Sequence, residues 1–210
     1  MSDREQGSAD WFAARLGKVT ASRVSDVIAK TKSGWSASRA NYMAQLVAER
    51  LTGQPQESYS NAAMQWGIEQ EPLARAAYEF RTDATVTPAW FIEHPKIAMS
   101  GASPDGLIGD VGLVEIKCPT TATHIETLIG KSTPDKYLAQ MQWQMACTGA
   151  KWCDFVSFDP RLPEAMRLFV SRVHRDDERI KELEKEVLAF LAELDAKVKT
   201  LTDLYQKEAA

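Results

Sequence analysis

Three acids and one amine carry the first clue: Glu71, Asp105 in Ser103-Pro104-Asp105-Gly106, and Glu115 with Lys117 in Glu115-Ile116-Lys117. In a strand, residues two apart share a face, so Glu115 and Lys117 point the same way while Ile116 points into the core. Asp105 stands ten residues before Glu115, across a turn at Gly109-Asp110-Val111-Gly112. A three-residue loop centred on Asp110 sets positions 105 and 115 opposite each other on one face. A plain two-residue turn centred between Asp110 and Val111 sets them on opposite faces. A shared site therefore requires an odd loop or a bulge, a common device beside active sites. Carboxylate oxygens are hard ligands suited to Mg²⁺ or Mn²⁺, which keep waters and accept substrate phosphate oxygens. Such ions acidify a bound water and hold attacking and leaving oxygens in line. A lysine ammonium beside that water lowers its pKa further or stabilises the pentavalent oxygens. The set makes chemical sense with a metal and a phosphodiester. Taken alone, Asp-Gly is also ordinary turn chemistry and Glu-x-Lys an ordinary solvated strand pair, so both readings stay open at this point.

The elements that must position these groups read as one α/β domain, helices first, then a strand-rich middle, then a final helix. Thr20-Ala21-Ser22 offers an N-cap for a helix to about Ala29, and Ser36 one for a helix closed by Gly53. Lys32-Ser33-Gly34 between them is a loop. A third helix begins near Asn61 and runs to about Phe80, with a kink or fresh start expected at Pro72. Strands are expected at 86–93, 107–108, 113–117, 153–158 and 166–174, and helices at 121–129 and 134–147. The last helix, 176–205, carries an apolar seam at Ile180, Leu183, Val187, Phe190 and Leu194, continued by Val198, Leu201 and Tyr205. That seam fits packing on its own domain or on a neighbouring subunit.

Composition bounds the rest. The 210 residues are 44% hydrophobic and 26% charged, the profile of a globular protein with a sizeable core. No apolar run approaches a transmembrane length, and Met1–Gly7 holds no signal core, so the expected address is the cytoplasm, with no membrane. Cys118, Cys147 and Cys153 lack a C-x-x-C pair and fit buried thiols rather than a zinc or iron-sulfur site. His94, His124 and His174 have no metal-ligand spacing. The formal charge of −4 is misleading, because Asp176–Ala210 carries 10 acidic residues against 6 basic and the first 175 residues balance. Arg15, Lys18, Arg23, Lys30, Lys32 and Arg39 face a single acid, Asp26, over that stretch, a basic arm able to grip a polyanion.

Five blocks occur in order: Trp11-Phe-Ala-Ala-Arg15-Leu-Gly-Lys-Val-Thr20-Ala-Ser22, Trp66-Gly67-x-x-x-Glu71, Ser103-Pro-Asp105-Gly106, Glu115-Ile-Lys117-Cys118-Pro119 and Tyr137-x-x-Gln140-Met-Gln142. Together, over roughly residues 10–175, they resemble the bacteriophage lambda exonuclease family of phage-type alkaline exonucleases and viral recombinases, within the PD-(D/E)xK nucleases. The resemblance implies a restriction-endonuclease-like core: a central mixed sheet flanked by helices, with N-terminal helices and a long C-terminal helix. It divides a single nuclease domain, 1–210, into a DNA-end-binding arm (1–60), a catalytic core (61–175) and the last helix (176–210). The activity implied is a Mg²⁺-dependent, ATP-independent, processive 5′-to-3′ exonuclease on double-stranded DNA ends. It releases 5′-mononucleotides and leaves 3′ tails for annealing-type recombination. No G-x-x-x-x-G-K-[ST] loop is present for ATP-driven unwinding.

By position, the resemblance makes Asp105, Glu115 and the Ile116 carbonyl ligands of two Mg²⁺ ions, for which Mn²⁺ substitutes. Glu71 serves the second ion or positions the water, and Lys117 activates the nucleophile. Arg15 and Ser22 hold the 5′ phosphate, Gln140 orients the scissile phosphate and Met64 wedges the end base pair. Lys32 stands where a loop arginine often contacts DNA. Each has a plainer alternative: Arg15 as a surface helix charge, Ser22 as a simple cap, Met64, Trp66 and Trp143 as core. Gln140 and Gln142, two apart on a helix, cannot both face the site. The partners implied are 5′-phosphorylated duplex ends, a ring-shaped homotrimer and a single-strand annealing protein, in a phage- or prophage-encoded system acting in a bacterial cytoplasm. A structure- or damage-specific endonuclease and a non-catalytic DNA-end binder are the competing readings.

Overall fold

The computed structural model describes residues 6–56 and 62–205. The first half of the chain holds α1 (Ala9–Arg15), β1 (Val19–Thr20), α2 (Val24–Val27), β2 (Lys30–Thr31), β3 (Gly34–Trp35), α3 (Ala37–Thr52), α4 (Ala62–Thr82), β4 (Val86–Thr87), β5 (Ile92–Glu93) and β6 (Ser100–Ala102). The second holds β7 (Gly106–Ile108), β8 (Gly112–Lys117), α5 (Thr121–Gly130), α6 (Asp135–Thr148), β9 (Trp152–Phe158), β10 (Leu168–His174) and α7 (Asp177–Tyr205). The expected helix start near Asn61 and the N-terminal residues Met1–Glu5 lie outside the described residues. No helix among the described residues is long and apolar enough to cross a membrane.

The chain forms two compact units. One gathers Met1–Glu57, Trp90–Ser103 and Asp176–Ala210. There β1 pairs in parallel with β6, which pairs antiparallel with β5. Helix α7 buries Ile180, Leu183, Val187, Phe190, Leu191 and Leu194, and packs on α3 and α2 of its own unit. The Phe190 ring stacks on Tyr42 at 5.8 Å. Beyond Leu194 the seam opens: Leu201 and Tyr205 are exposed.

The other unit, Ser58–Ala89 and Pro104–Arg175, is built on a five-stranded sheet of order β10-β9-β8-β7-β4. Its β8–β9 pair is parallel and the others are antiparallel, so the sheet is mixed. Helix α4 covers one face, where Ala74 and Tyr78 meet Val114, Ile116, Val156 and Phe158. Helix α6 covers the other, where Met141 and Met145 meet Leu113, Cys153 and Phe155. All three cysteines are buried free thiols.

Several expectations change. The strand expected over 86–93 is two short ones, because Pro88 has no amide hydrogen to continue a ladder. Val86 and Thr87 pair with β7, whereas Ile92 and Glu93 pair with β6. Thr20 caps no helix with its side chain: it sits in β1, followed by a 3₁₀ turn at Ala21–Arg23. β-Branched Val19 and Thr20 have instead been drawn into pairing with Ser100 and Gly101. Met166 belongs to a 3₁₀ turn, and β10 begins two residues later. Helix α4 passes through Pro72 without restarting. The carbonyl left without a donor is that of Ile68, a residue 66% exposed and open to water, while Ala74 and Tyr78 anchor the far side.

Candidate active site

The site rests on the turn between β7 and β8. Gly106 pairs with Val114, Leu107 with Leu113 and Ile108 with Gly112, so the loop is three residues centred on Asp110. Gly109 supplies the positive φ of 53° that the odd loop needs. This register sets positions 105 and 115 across from each other, the arrangement a shared site demands. Gly106 is required for space: a Cβ there would lie 2.1 Å from Val86 Cγ1. Two residues before Gly106, Pro104 has no amide hydrogen and cannot extend the ladder. Beyond the end of the ladder the Ile116 N–H is taken up by the Asp105 side chain, Oδ2 accepting it at 2.6 Å.

Glu115 is completely buried on the α6 face of β8. A carboxylate there survives only if its oxygens are paired. Lys117, two residues on along the same face, ion-pairs with Oε1, and Gln140 of α6 donates Nε2 to the same oxygen at 2.5 Å. Gln144, one helical turn beyond Gln140, donates Nε2 to Oε2 at 2.5 Å. Gln142 points elsewhere and donates to the His174 carbonyl, as helical geometry requires. The Lys117 ammonium lies 5.6 Å from the centroid of Tyr137, whose ring stacks on Phe155 at 5.3 Å.

Electrostatics tie the group together. Burial, followed by the charge of Glu115, holds the Asp105 carboxyl well above the usual range, with Lys117 pulling it back and Glu71 pushing it up. Burial alone would depress Lys117, but Glu115 and Asp105 outweigh it and keep the ammonium above the ordinary lysine range. Lys117 is therefore a fixed cation at neutral pH. Glu71 on α4 pairs with Arg75 at 2.7 Å, and its charge reaches Asp105 through space.

Among the described residues no three acid, histidine or cysteine side chains stand as a ready-made metal cage. Mg²⁺ does not need one, since it is held by one or two carboxylates and keeps the remaining positions for waters and substrate phosphates. Asp105, Glu115 and the Ile116 carbonyl are hard oxygen donors of that kind. The excess negative charge felt by Asp105 is what a divalent cation would offset. The residues fit the ion.

The other unit holds the candidate phosphate-binding residues. Arg15, at the end of α1, stacks its guanidinium 3.9 Å over Trp11, and both Arg15 Nη1 and Trp11 Nε1 donate to Ser103 Oγ. Burial lowers the Arg15 guanidinium to about 10, with Tyr42 and Glu49 opposing, and no carboxylate pairs with it among the described residues. Ser22 is exposed, its hydroxyl 3.4 Å from that of Thr20. Lys32 is exposed in the turn between β2 and β3. Met64, on α4 of the unit with the five-stranded sheet, is 48% exposed rather than core. Trp143 is fully buried, and Trp66 is half-buried beneath the Arg161 guanidinium at 4.4 Å.

Sequence reasoning missed Gln144 and the placing of Tyr137. The available signal was helical spacing, since Tyr137, Gln140 and Gln144 recur at three and four residues and share one face of α6.

Residues 10–151 match the YqaJ-like viral recombinase domain. The chain is similar to the crystal structure of an alkaline exonuclease, LHK-Exo, from Laribacter hongkongensis, at 56% identity and a TM-score of 0.89 over 95% of this chain and 99% of that one. The same protein in complex with dAMP matches at 57% identity, with the same TM-score and coverage. A phage-related exonuclease from Haemophilus somnus 129PT shares the fold at 17% identity, with a TM-score of 0.72 over 88% of this chain and 96% of that one. No curated protein matches the chain significantly. With its mixed sheet forming a PD-(D/E)xK core, the chain belongs to the YqaJ-like viral recombinase family, of the lambda exonuclease type.

Proposed function

We propose that the protein is a Mg²⁺-dependent, ATP-independent exonuclease that enters double-stranded DNA ends and degrades one strand 5′ to 3′. It works processively, releases 5′-mononucleotides and leaves a 3′ tail for annealing-type recombination. The observation that carries this reading is the convergence of Asp105, Glu115, Lys117 and Gln140 at the β7–β8 hairpin. The likeness to an alkaline exonuclease, and to its complex with a deoxynucleoside monophosphate, supports the substrate class.

Asp105, Glu115 and the Ile116 carbonyl hold the metal ions, two per site, with Glu71 on the second ion or the attacking water; Mn²⁺ substitutes. Bound there, the metal supplies Lewis-acid stabilisation of the phosphoryl oxygens and an acidified water. Lys117, permanently charged, aids the nucleophile and offsets the negative charge that develops on phosphorus-bound oxygens. The Gln140 amide, freed from Glu115 Oε1, donates to the scissile phosphate and orients it. Arg15, desolvated and lacking a carboxylate partner, receives the 5′ phosphate in a planar fork, with the Ser22 hydroxyl beside it. Lys32 adds a point charge to the DNA backbone, and exposed Met64 wedges the terminal base pair.

On this reading residues 1–60 form the DNA-end-binding arm, 61–175 the catalytic core and 176–210 the last helix of one nuclease domain. Processivity comes from a homotrimeric ring. Phe80, 94% exposed on α4 with Leu73 on the same face, is apolar surface of the kind a neighbouring copy covers. The 3′ tail passes to a single-strand annealing protein, in the cytoplasm of a bacterium carrying the phage or prophage.

Linear duplex bearing 5′ phosphates is incubated with the protein and Mg²⁺, and acid-soluble nucleotides are followed. Steady release that stops on chelation is expected, with closed circular duplex left intact. Full-length linear duplex surviving excess protein overturns the reading, and cutting of the circle replaces it with an endonuclease. Light scattering checks the ring.

A further inference from the structure

The two oxygens of Glu115 live in different surroundings. Oε1 faces Lys117, whose side chain is 29% exposed, and Gln140, which is half-buried. Both partners can move into solvent and leave that oxygen to another ligand. Among the described residues, Oε2 is hydrogen-bonded only by Gln144, a residue with no exposed surface, at 2.5 Å. The Gln144 amide is itself held at its other end. The Cys153 thiol, on β9 with no exposed surface, lies 4.0 Å from Gln144 Oε1 and donates to it. Buried in an apolar wall, that thiol keeps its proton and remains a donor. The carboxylate at one end calls for the NH₂, and the S–H donor at the other favours the same orientation, with the carbonyl toward Cys153.

We infer that Gln144 is a positioning residue that locks Glu115 Oε2 in the interior, through the chain Cys153–Gln144–Glu115, so that the carboxylate meets a divalent ion through Oε1 alone. This rests on the proposed role of Glu115 as a metal ligand. Without the lock, the carboxylate is free to rotate about its last torsion. It then presents either oxygen, with one left unpaired in an apolar wall.

The test is Mn²⁺ binding to the DNA-free protein by calorimetry, beside the Mn²⁺ dependence of hydrolysis, for wild type, Gln144→Leu and Cys153→Ala. A partner behind a metal ligand is typically worth tenfold or more in affinity, so Gln144→Leu should weaken Mn²⁺ binding at least ~10-fold. Its activation curve should move to higher Mn²⁺ by the same factor, with KM for DNA ends unchanged. Cys153→Ala removes only the thiol that orients the amide, and should weaken Mn²⁺ about twofold to threefold, within the range of a lost neutral hydrogen bond. It also carries the test should Gln144→Leu fail to fold. A folded Gln144→Leu protein with wild-type Mn²⁺ affinity overturns the proposal, as does unchanged affinity in Cys153→Ala where that variant stands alone. A merely structural role would lower thermal stability without moving the binding isotherm. If wild type binds no Mn²⁺, or Glu115→Gln binds as wild type does, the metal-site reading itself fails and this inference with it.

Discussion

Strand β8 has two faces that differ in almost every respect. On the α4 side, Val114 and Ile116 pack among Ala74, Tyr78, Val156 and Phe158, and no ionisable group enters from the strand. On the α6 side, Glu115 and Lys117 share the face of Leu113, which packs with Phe155, Met141 and Met145. One strand thus alternates residue by residue between a face that stabilises and a face that costs. Desolvating Glu115 is unfavourable and is offset only because two glutamine amides and one ammonium converge on it. An expense of that kind is characteristic of a functional site rather than of a core.

The sharpest way to break this comparison is to change one residue on each face. Lys117→Ala should lower the rate of duplex hydrolysis at saturating Mg²⁺ by at least ~10²-fold, the scale of one preorganised electrostatic group. Circular dichroism should still report a folded chain. A variant of near wild-type rate would show that the charged face is ornamental. Ile116→Ala, one residue away, should do the reverse. It removes a side chain 5% exposed in the α4 core and should cost about 3 kcal/mol in urea unfolding. Below its unfolding transition the Mg²⁺ dependence of hydrolysis should be that of wild type, because only the Ile116 backbone touches the site.

A pH series sharpens the same contrast. The folded Asp105 carboxyl titrates well above its unfolded value of about 3.9, so its protonated form is the one the metal-free fold prefers. Its contribution to stability is fully present below that unfolded value and is lost as pH rises toward the folded one. Asp105→Asn, which cannot ionise, should therefore gain stability over wild type as pH rises from acid to neutral, without Mg²⁺. The urea midpoint difference between the two proteins is the measure. A difference that shrinks with rising pH means Asp105 is not desolvated beside Glu115.

The two faces also show what a sequence discloses. Alternation in Leu113-Val114-Glu115-Ile116-Lys117 is visible in the residues, and so is the need for an odd loop if Asp105 is to share the site. The register around Asp110 met that need. Ser36 and Gly53 marked both ends of α3, because capping is chemistry among near neighbours. What stayed hidden depends on contacts far along the chain. Val19–Thr20 became a strand only because Ser100–Gly101 lay alongside, about 80 residues away, and no local rule contains that partner. The division of 86–93 between two sheets is the same kind of fact, although Pro88 gave warning of it. Gln144 was concealed differently: its spacing from Gln140 was in plain view, but a glutamine announces no function until the carboxylate it faces is known.

Helix α6 repeats the lesson of β8 at smaller scale. Its glutamines at 140 and 144 serve Glu115, while Gln142, rotated to another side, donates to the His174 carbonyl at 2.8 Å. All three bonds are buried or partly so, and by burial alone Gln142, 5% exposed, cannot be told from Gln144. Their partners separate them. A neutral amide-to-carbonyl bond is worth about 1 kcal/mol, and His174 is an exposed residue at the end of β10, so Gln142→Leu should cost about 1 kcal/mol in unfolding free energy. Its Mn²⁺ isotherm and its hydrolysis rate should be wild-type. If Gln142→Leu moved the isotherm as far as Gln144→Leu, metal affinity would follow helix packing in general, and the assignment of a carboxylate oxygen to each amide would lose its basis.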